Sequence, residues 1–359
     1  MRPLGSLAQM EAVLRAALAC GINHLETAPA YGPAERFLGQ ALERLASEGV
    51  APAGGWRITS KLLPGCDLAS GQQQLLGILE RLGVDQLSHL AVHGINRPEH
   101  LAWALQGPGA ALLSWAQDRG LALAVGFTSH GSNGLIERAL ASERFSFCGL
   151  HVHLLDRTRL ALARNALAKG IGVLAISPAD KGGRLYDPPA ELVAHCQPFH
   201  PLELAYRFLL EQGISTLSLG AQQPGDLAWA ARLSGAERSA AVAAAVAAAV
   251  ARLDAAQAER LGSEQCGQCR ACLPCPSGVP IPELLRRRTL ALGHGMQAFA
   301  QERYNLIGRA GHWWEERNAD ACQRCGACLP RCPHGLAIPD LLAETHQLLA
   351  ANPRRRLWG

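Results

Sequence analysis

The stretch GINHLETAPAYGPAERFLGQAL, residues 21–42, decides the fold. Its first part, Ile22 to Thr27, is a short apolar run that forms a strand ending near the acid Glu26, and Tyr31 lies in the loop that follows. Outward from it the same alternation repeats. Apolar runs recur at Arg57 to Lys61, Leu90 to His93, Leu121 to Thr128, Phe145 to Leu154, Ile171 to Ser177 and Thr216 to Leu219. Amphipathic stretches separate them, at Gln72 to Leu82, Ala110 to Asp118, Arg159 to Lys169 and Leu202 to Gln212, and one precedes them all at Gln9 to Ala19. Strands alternating with helices imply a parallel sheet covered on its faces.

Seven strands are found where a βα barrel needs eight. The chain opens almost at once into a helix, so the absent strand is the one before that helix. Either the start lies upstream, or the barrel is incomplete or closed differently. A doubly wound open sheet is the competing architecture, but no G-x-G-x-x-G joins a strand to a helix here. The expectation is an α/β chain: a (β/α)8 TIM-type barrel over residues 1–235 with its first strand missing, an alanine-rich helical connector over 236–261, and a small, mostly helical ferredoxin-like domain over 262–359.

The chain has 359 residues, 48% of them apolar and 18% charged, enough for a sizeable core and more than one domain. No charged-plus-apolar leader stands at Met1 to Met10, so a cytoplasmic location is expected. Ser239 to Leu253 is mostly alanine, with valines at 242, 246 and 250, which makes a helix and not a membrane span. The formal charge of +4 counts cysteine as neutral and says little about nucleic acid; neither a nucleic-acid nor a membrane partner is expected. The basic runs Arg286 to Arg288 and Arg354 to Arg356 read as a solvated helix face and a frayed tail.

Cysteine is unevenly placed. Cys20, Cys66, Cys148 and Cys196 are scattered, while eight crowd into residues 266–332, an arrangement that argues for metal over disulfides. Those eight form an internal duplication. Cys266-GQ-Cys269-RA-Cys272-LP-Cys275-P-SGVPIPELL aligns with Cys322-QR-Cys325-GA-Cys328-LPR-Cys332-P-HGLAIPDLL. In each copy a proline suits the first turn of a helix and an acid its N-terminus. Three cysteines at C-x2-C-x2-C can wrap one 4Fe-4S cluster, and in two-cluster ferredoxins the fourth, proline-followed cysteine ligates the other cluster. By that logic Cys266, Cys269, Cys272 and Cys332 hold one cluster, and Cys322, Cys325, Cys328 and Cys275 the second. The first run has two residues instead of three before its last cysteine, which leaves that exchange open there. Paired four-cysteine zinc sites are the alternative, though these more often show two C-x2-C pairs across a longer loop.

Residues 21–42 resemble the aldo/keto reductase signature, in which a strand-end acid precedes a YG-x-x-E turn. The resemblance continues through Ser60-Lys61, Val92-His93, Gly126-Phe127-Thr128-Ser129, Ile176-Ser177-Pro178 and Leu219-Gly220-Ala221. HGIN at 93–96 and SPADKGG at 177–183 look like the iron-sulfur subfamily of these reductases, which carries a C-terminal pair of 4Fe-4S motifs. The resemblance implies a catalytic set of Tyr31, Lys61, His93 and Glu26. Tyr31 would protonate the developing alkoxide with its pKa lowered by Lys61, Glu26 would keep Lys61 charged, and His93 would orient the substrate carbonyl. Glu26, Lys61 and His93 also fall at the ends of three successive strands, the face on which barrel active sites are built.

For the nicotinamide cofactor the resemblance places Thr128 and Ser129 near the carboxamide and Ser177, Gly220 and Ala221 near the phosphates. The chain departs from the family pattern in having Glu26 for the usual aspartate, Ile176 for an aromatic, and Gln222-Gln223 where many NADPH users carry a cation. NADPH and NADH both stay open. The expected function is that of an iron-sulfur oxidoreductase moving hydride between NAD(P)H and a small carbonyl or alcohol, with an electron-transfer protein as a possible further partner. The competing reading is an electron-transfer or scaffold protein with a catalytically degenerate barrel.

Overall fold

The computed structural model describes residues 6–179, 184–234, 239–308 and 317–351. The 180–183 part of SPADKGG and the run Arg354 to Arg356 lie outside the described residues. The chain divides into two compact units: Met1–His153 with Arg159–Pro178 and Tyr206–Arg238, and Leu154–Thr158 with Ala179–Ala205 and Ser239–Gly359.

The first unit is built on a seven-stranded, all-parallel curled sheet with the strands in chain order. They are β1 (His24–Glu26), β2 (Arg57–Leu62), β3 (Leu87–Val92), β4 (Ala122–Ser129), β5 (Phe147–Leu150), β6 (Gly172–Ala175) and β7 (Thr216–Leu217). Each apolar run of the sequence overlaps one of them, although β3 begins three residues before its run. Pairing each strand with the next of the chain is what a βα repeat yields when every crossover is right-handed. Among the described strands β1 and β7 form the edges, yet the curl brings His24 Nδ1 and Thr216 Oγ1 within 3.4 Å. Inside the curl, His24 stacks near His89 and His89 near Phe147, both at 5.2 Å between ring centres. The sheet is thus a curled seven-stranded half-barrel, one strand short of the eight-strand pattern.

The helices show the sequence logic that starts and stops them. α1 (Leu7–Ala19) is capped by Ser6, whose Oγ accepts from Gln9 N at 3.2 Å. α3 (Leu68–Leu82) is capped by Asp67 and ends on Gly83 in the left-handed region. α2 (Ala34–Ser47) packs on α3 so closely at Gly39 that a Cβ there would meet Arg81 O at 2.2 Å, so only glycine fits. α4 (Pro98–Gln106) and α5 (Pro108–Asp118) both start on proline, and α6 (Asn133–Ala141) and α7 (Leu160–Ala168) complete the crossovers to β6. α8 (Ala190–Cys196), α9 (Pro201–Glu211) and α10 (Ala231–Ser234) follow.

The second unit is helical. α11 (Ala240–Leu261) is long and apolar enough to cross a membrane by length and composition. It buries Val246, Ala249, Leu253 and Leu261 and packs on α8 and on a π-helical turn at Thr289–Gly293. Its charges are used locally: Asp254 takes both Arg157 nitrogens at 2.9 Å, and Arg260 pairs with Glu191. α12 (Ile281–Arg288), α13 (Gln297–Tyr304) and α14 (Ile338–Leu349) pack on one another, and α12 and α14 are the two helices that the duplication predicts.

Arg286 to Arg288 correct the expectation of a solvated face. All three are buried. Arg286 lies 3.4 Å from Asp156, Arg287 pairs with Glu283 at 3.4 Å, and Arg288 pairs with Glu264 and, at 3.0 Å, with Glu344. Three adjacent helical positions span most of a turn, so burying all of them requires neighbours on several sides.

Candidate functional site

Two sites stand out, one in each unit. In the first, the carboxyl ends of β1, β2 and β3 bring three expected residues together with the loop after β1. Lys61, the penultimate residue of β2, is 2% exposed and lies at the centre. Its ammonium pairs with Glu26 at the end of β1 and donates to Thr27 O at 2.9 Å and Tyr31 Oη at 3.0 Å. Tyr31 ends a 3-10 turn, Pro29–Tyr31, that Gly32 terminates at φ +64°. His93 follows β3 and meets the Tyr31 ring edge-on at 5.9 Å.

The electrostatics follow from this burial. Burial opposes the Glu26 carboxylate, but Lys61 outweighs it and holds the carboxyl below its ordinary range. Burial and then Glu26 push the Tyr31 phenol above its ordinary value, and Lys61 pulls the other way without prevailing. Lys61 does pull the phenol down as expected, but the expected net lowering is corrected, because burial first and Glu26 second outweigh it. Burial, with Lys61 second, pushes His93 down to about 4, so near neutral pH its ring is uncharged. The set is a protonated phenol on an ammonium–carboxylate pair, beside a neutral imidazole that carries one N–H.

The sequence reading missed what fixes this geometry. Glu35, the acid of the YG-x-x-E turn, is 1% exposed. It accepts from Ser60 Oγ at 2.6 Å and from Arg81 Nε and Nη2 at 2.9 and 2.8 Å. It therefore bolts the loop carrying Tyr31 to the residue preceding Lys61. The signal was present as the motif's own glutamate and the Ser60-Lys61 pair. Also missed is a histidine group at the ends of β4 and β5, with His151 Nε2 at 3.3 Å from His130 Nε2 and the His151 and His153 rings 5.7 Å apart. The alternating HVH at 151–153 was its only trace.

The proposed cofactor residues are placed less tightly together. Thr128 and Ser129 are buried at the end of β4, and their hydroxyls face the loop after β3: Thr128 Oγ1 accepts from Gly94 N at 3.0 Å, and Ser129 Oγ donates to Ile95 O at 2.6 Å. They position the loop that carries His93. Ser177 follows β6 in the left-handed region, and its N–H donates to Ser218 Oγ at 2.6 Å, tying the ends of β6 and β7. Gly220 and Ala221 follow β7; a Cβ at Gly220 would meet nothing, so protein packing does not demand glycine there. Two N–H groups just beyond, of Gln222 and Gln223, are already taken by Asp226 at 2.8 and 3.1 Å.

In the second unit the eight cysteines line two hollows. Cys266, Cys269, Cys272 and Cys332 line the first, with Arg270, His334, Ile281, Leu285 and Leu336 among its walls. Cys322, Cys325, Cys328 and Cys275 line the second, with Ser277, Gln323 and Leu342. The fourth cysteine of each run thus stands in the other run's hollow, including Cys275 despite its shorter spacing. Among the described residues no three His, Cys, Asp or Glu side chains converge as a single-ion site requires. Four cysteines around a hollow with apolar walls fit a cluster larger than one ion. Burial pushes the Cys272 thiol up to about 11, so a thiolate there needs a bound cation to form near neutral pH.

Comparisons with known proteins place both parts of the chain in families. Residues 6–263 match the model of the aldo/keto reductase family, and residues 265–337 match that of a 4Fe-4S dicluster domain. Among solved structures, the holo form of aldo-keto reductase AKR11C1 from Bacillus halodurans is similar, at 17% identity and TM-score 0.57 over 68% of this chain and 88% of that one. An aldo-keto reductase from Klebsiella pneumoniae in complex with NADPH is similar at 19% identity and TM-score 0.54, over 67% of this chain and 84% of that one. At these identities the likeness speaks for the fold. No curated protein matches the chain. A family match over most of the length, with a half-barrel that presents Tyr31, Lys61 and His93 at its strand ends, makes this chain a member of the aldo/keto reductase family, extended by a C-terminal 4Fe-4S domain.

Proposed function

We propose that this chain is an NAD(P)H-dependent iron-sulfur oxidoreductase that interconverts a small carbonyl compound and its alcohol and carries two 4Fe-4S clusters. The observation that carries the reading is Lys61, buried and bridging Glu26 to Tyr31. A bound reduced nicotinamide would supply the hydride. The protein's part is the proton and the alignment. Tyr31, kept protonated by burial and Glu26, gives its phenolic proton to the carbonyl oxygen as negative charge develops there, and the Lys61 ammonium 3.0 Å away stabilises the phenolate that results. The neutral His93 ring offers one N–H to orient the same oxygen. Glu26 positions Lys61 and does not touch substrate.

For the nicotinamide, Ser177, Gly220 and Ala221 at the ends of β6 and β7 would take the phosphates, while the buried hydroxyls of Thr128 and Ser129 act on the His93 loop. The missing cation after Gly220 and the presence of Asp226 on the neighbouring N–H groups favour NADH over NADPH. In the second unit Cys266, Cys269, Cys272 and Cys332 would hold one cluster and Cys322, Cys325, Cys328 and Cys275 the other, each supplying a one-electron couple. The reading extends to a cytoplasmic protein with an electron-transfer partner and no nucleic-acid or membrane partner.

The test is anaerobic purification with iron and sulfide analysis, followed by nicotinamide binding and turnover of a panel of small aldehydes and ketones. About eight irons per chain, saturable binding and turnover abolished by Tyr31→Phe are expected. Intact clusters with no nucleotide binding would leave the electron-transfer or scaffold reading standing instead.

A further inference from the structure

The duplication allows the two cysteine hollows to be compared position by position. Arg270, between the second and third cysteines of the first run, corresponds to Gly326 in the second, and His334, after the last cysteine of the second run, corresponds to Ser277 in the first. Because the last cysteines are exchanged, Arg270 and His334 meet in the same hollow. The His334 ring packs so closely on Gly267 that a Cβ there would lie 2.3 Å from its Nε2. The equivalent places in the other hollow are occupied by Gly326 and Ser277. One hollow therefore has a permanent positive charge and an imidazole in its wall, and the other has neither.

Neighbouring charges do not cancel this difference. Arg270 shares Glu283, 3.6 Å away, with Arg287 at 3.4 Å, and Arg286 also acts on that carboxylate. Among the described residues Asp156 lies beside Arg286, and Glu283 is met by Arg270 and Arg287 together, so it is not Arg270's alone. On the other side, Arg324 acts on Cys322 from outside the lining of the second hollow, where it points at the N-terminal end of α14 and pairs with Asp340. Arg331 is bonded to Ala327 O and Pro274 O at 2.9 and 3.0 Å and sits in sequence between Cys328 of one hollow and Cys332 of the other, so it does not discriminate between them.

We propose that the two clusters are electronically unequal, and that the first electron to enter settles on the cluster held by Cys266, Cys269, Cys272 and Cys332 because Arg270 lines its hollow. This rests on the two-cluster reading above. A 4Fe-4S cluster with four thiolates gains one negative charge when an external one-electron donor reduces it from the 2+ to the 1+ core, and nearby positive charge favours that state. The step consumes one electron and no proton.

The test is a dithionite titration of the full chain followed by EPR, with iron and sulfide measured on every sample. Fewer than about eight irons in the unmodified protein would sink the two-cluster reading itself and be seen before any potential is compared. With both clusters present, two one-electron waves are expected. Arg270→Gln should move the upper wave down and leave the lower one in place, while Arg270→Lys should hold both. An unmoved upper wave, or a shift confined to the lower wave, overturns the assignment. If Arg270→Gln loses iron, Ser277→Lys decides: charge placed in the second hollow should raise the lower wave and narrow the gap, and an unchanged gap overturns the proposal.

Discussion

Arg81→Ala should cost more stability than Glu35→Gln, although Arg81 is the more exposed partner. The guanidinium is 42% exposed and the carboxylate 1%. Removing the arginine strands a buried charge with only Ser60 Oγ to bond it, a change that costs about 3–5 kcal/mol in buried pairs; with one partner already near solvent the lower end, about 3 kcal/mol, applies. Glu35→Gln leaves an amide that still accepts from Ser60, while Arg81 turns to water, for a loss of about 1–2 kcal/mol. With a urea slope of roughly 2 kcal/mol per molar, the midpoints should fall by roughly 1.5 M and by less than 1 M. Adding Glu35→Gln to Arg81→Ala should recover part of the loss, because a neutral amide is cheaper to bury than an orphaned carboxylate. Urea unfolding followed by tryptophan fluorescence reads all three. Equal costs for the two single variants, or strictly additive costs in the double, would refute the view that Glu35 is held as a buried charge.

Lys61→Met should reduce carbonyl turnover by about 100-fold or more while nucleotide affinity changes little, measured by steady-state kinetics and fluorescence titration. His89 and His93, held near 4 against an ordinary value of 6.5, stay neutral in the folded chain while an unfolded chain takes up protons. Stability is therefore fully present above pH 6.5 and is lost as pH falls toward 4, by roughly 1–2 kcal/mol per ring after allowance for partial solvent access. His89→Phe should flatten that slope, and an unchanged slope would speak against it. Cys332→Ser and Cys275→Ser should each disturb the cluster of the other run, seen as altered EPR of different signals, whereas Cys148→Ala, in the first unit, should leave iron content unchanged.

Alternation made the sheet legible because buried parallel strands leave continuous apolar runs between amphipathic helices. Every run overlaps a strand, though Phe145 to Leu154 is more than twice as long as β5 (Phe147–Leu150), because His151 to Leu154 remain buried after leaving the sheet. The candidate catalytic positions stood out through strand-end placement and a motif, and the structure brings Glu26, Tyr31 and Lys61 together. The state of Tyr31 was not legible, since it depends first on how deeply the phenol is buried and then on Glu26 acting against Lys61, neither of which spacing reveals. Arg286 to Arg288 misled for a related reason: their acids, Asp156, Glu264, Glu283 and Glu344, come from four separate parts of the sequence. Exchange of the fourth cysteine was expected from the two-cluster pattern and left open for the shorter first run, where the structure places Cys275 in the other run's hollow.

That exchange bears on ancestry and assembly. On the two-cluster reading, a single copy of the repeat supplies three cysteines to its own hollow and one to its neighbour's, so alone it would complete neither, whereas two copies facing each other would complete both. The C-terminal unit thus has the ligand topology of a swapped homodimer whose subunits have been fused into one chain. On that reading its two halves are interlocked: the centre of Cys275, Cys322, Cys325 and Cys328 would have all its ligands once Cys328 has been made, and the centre of Cys266, Cys269 and Cys272 would wait for Cys332.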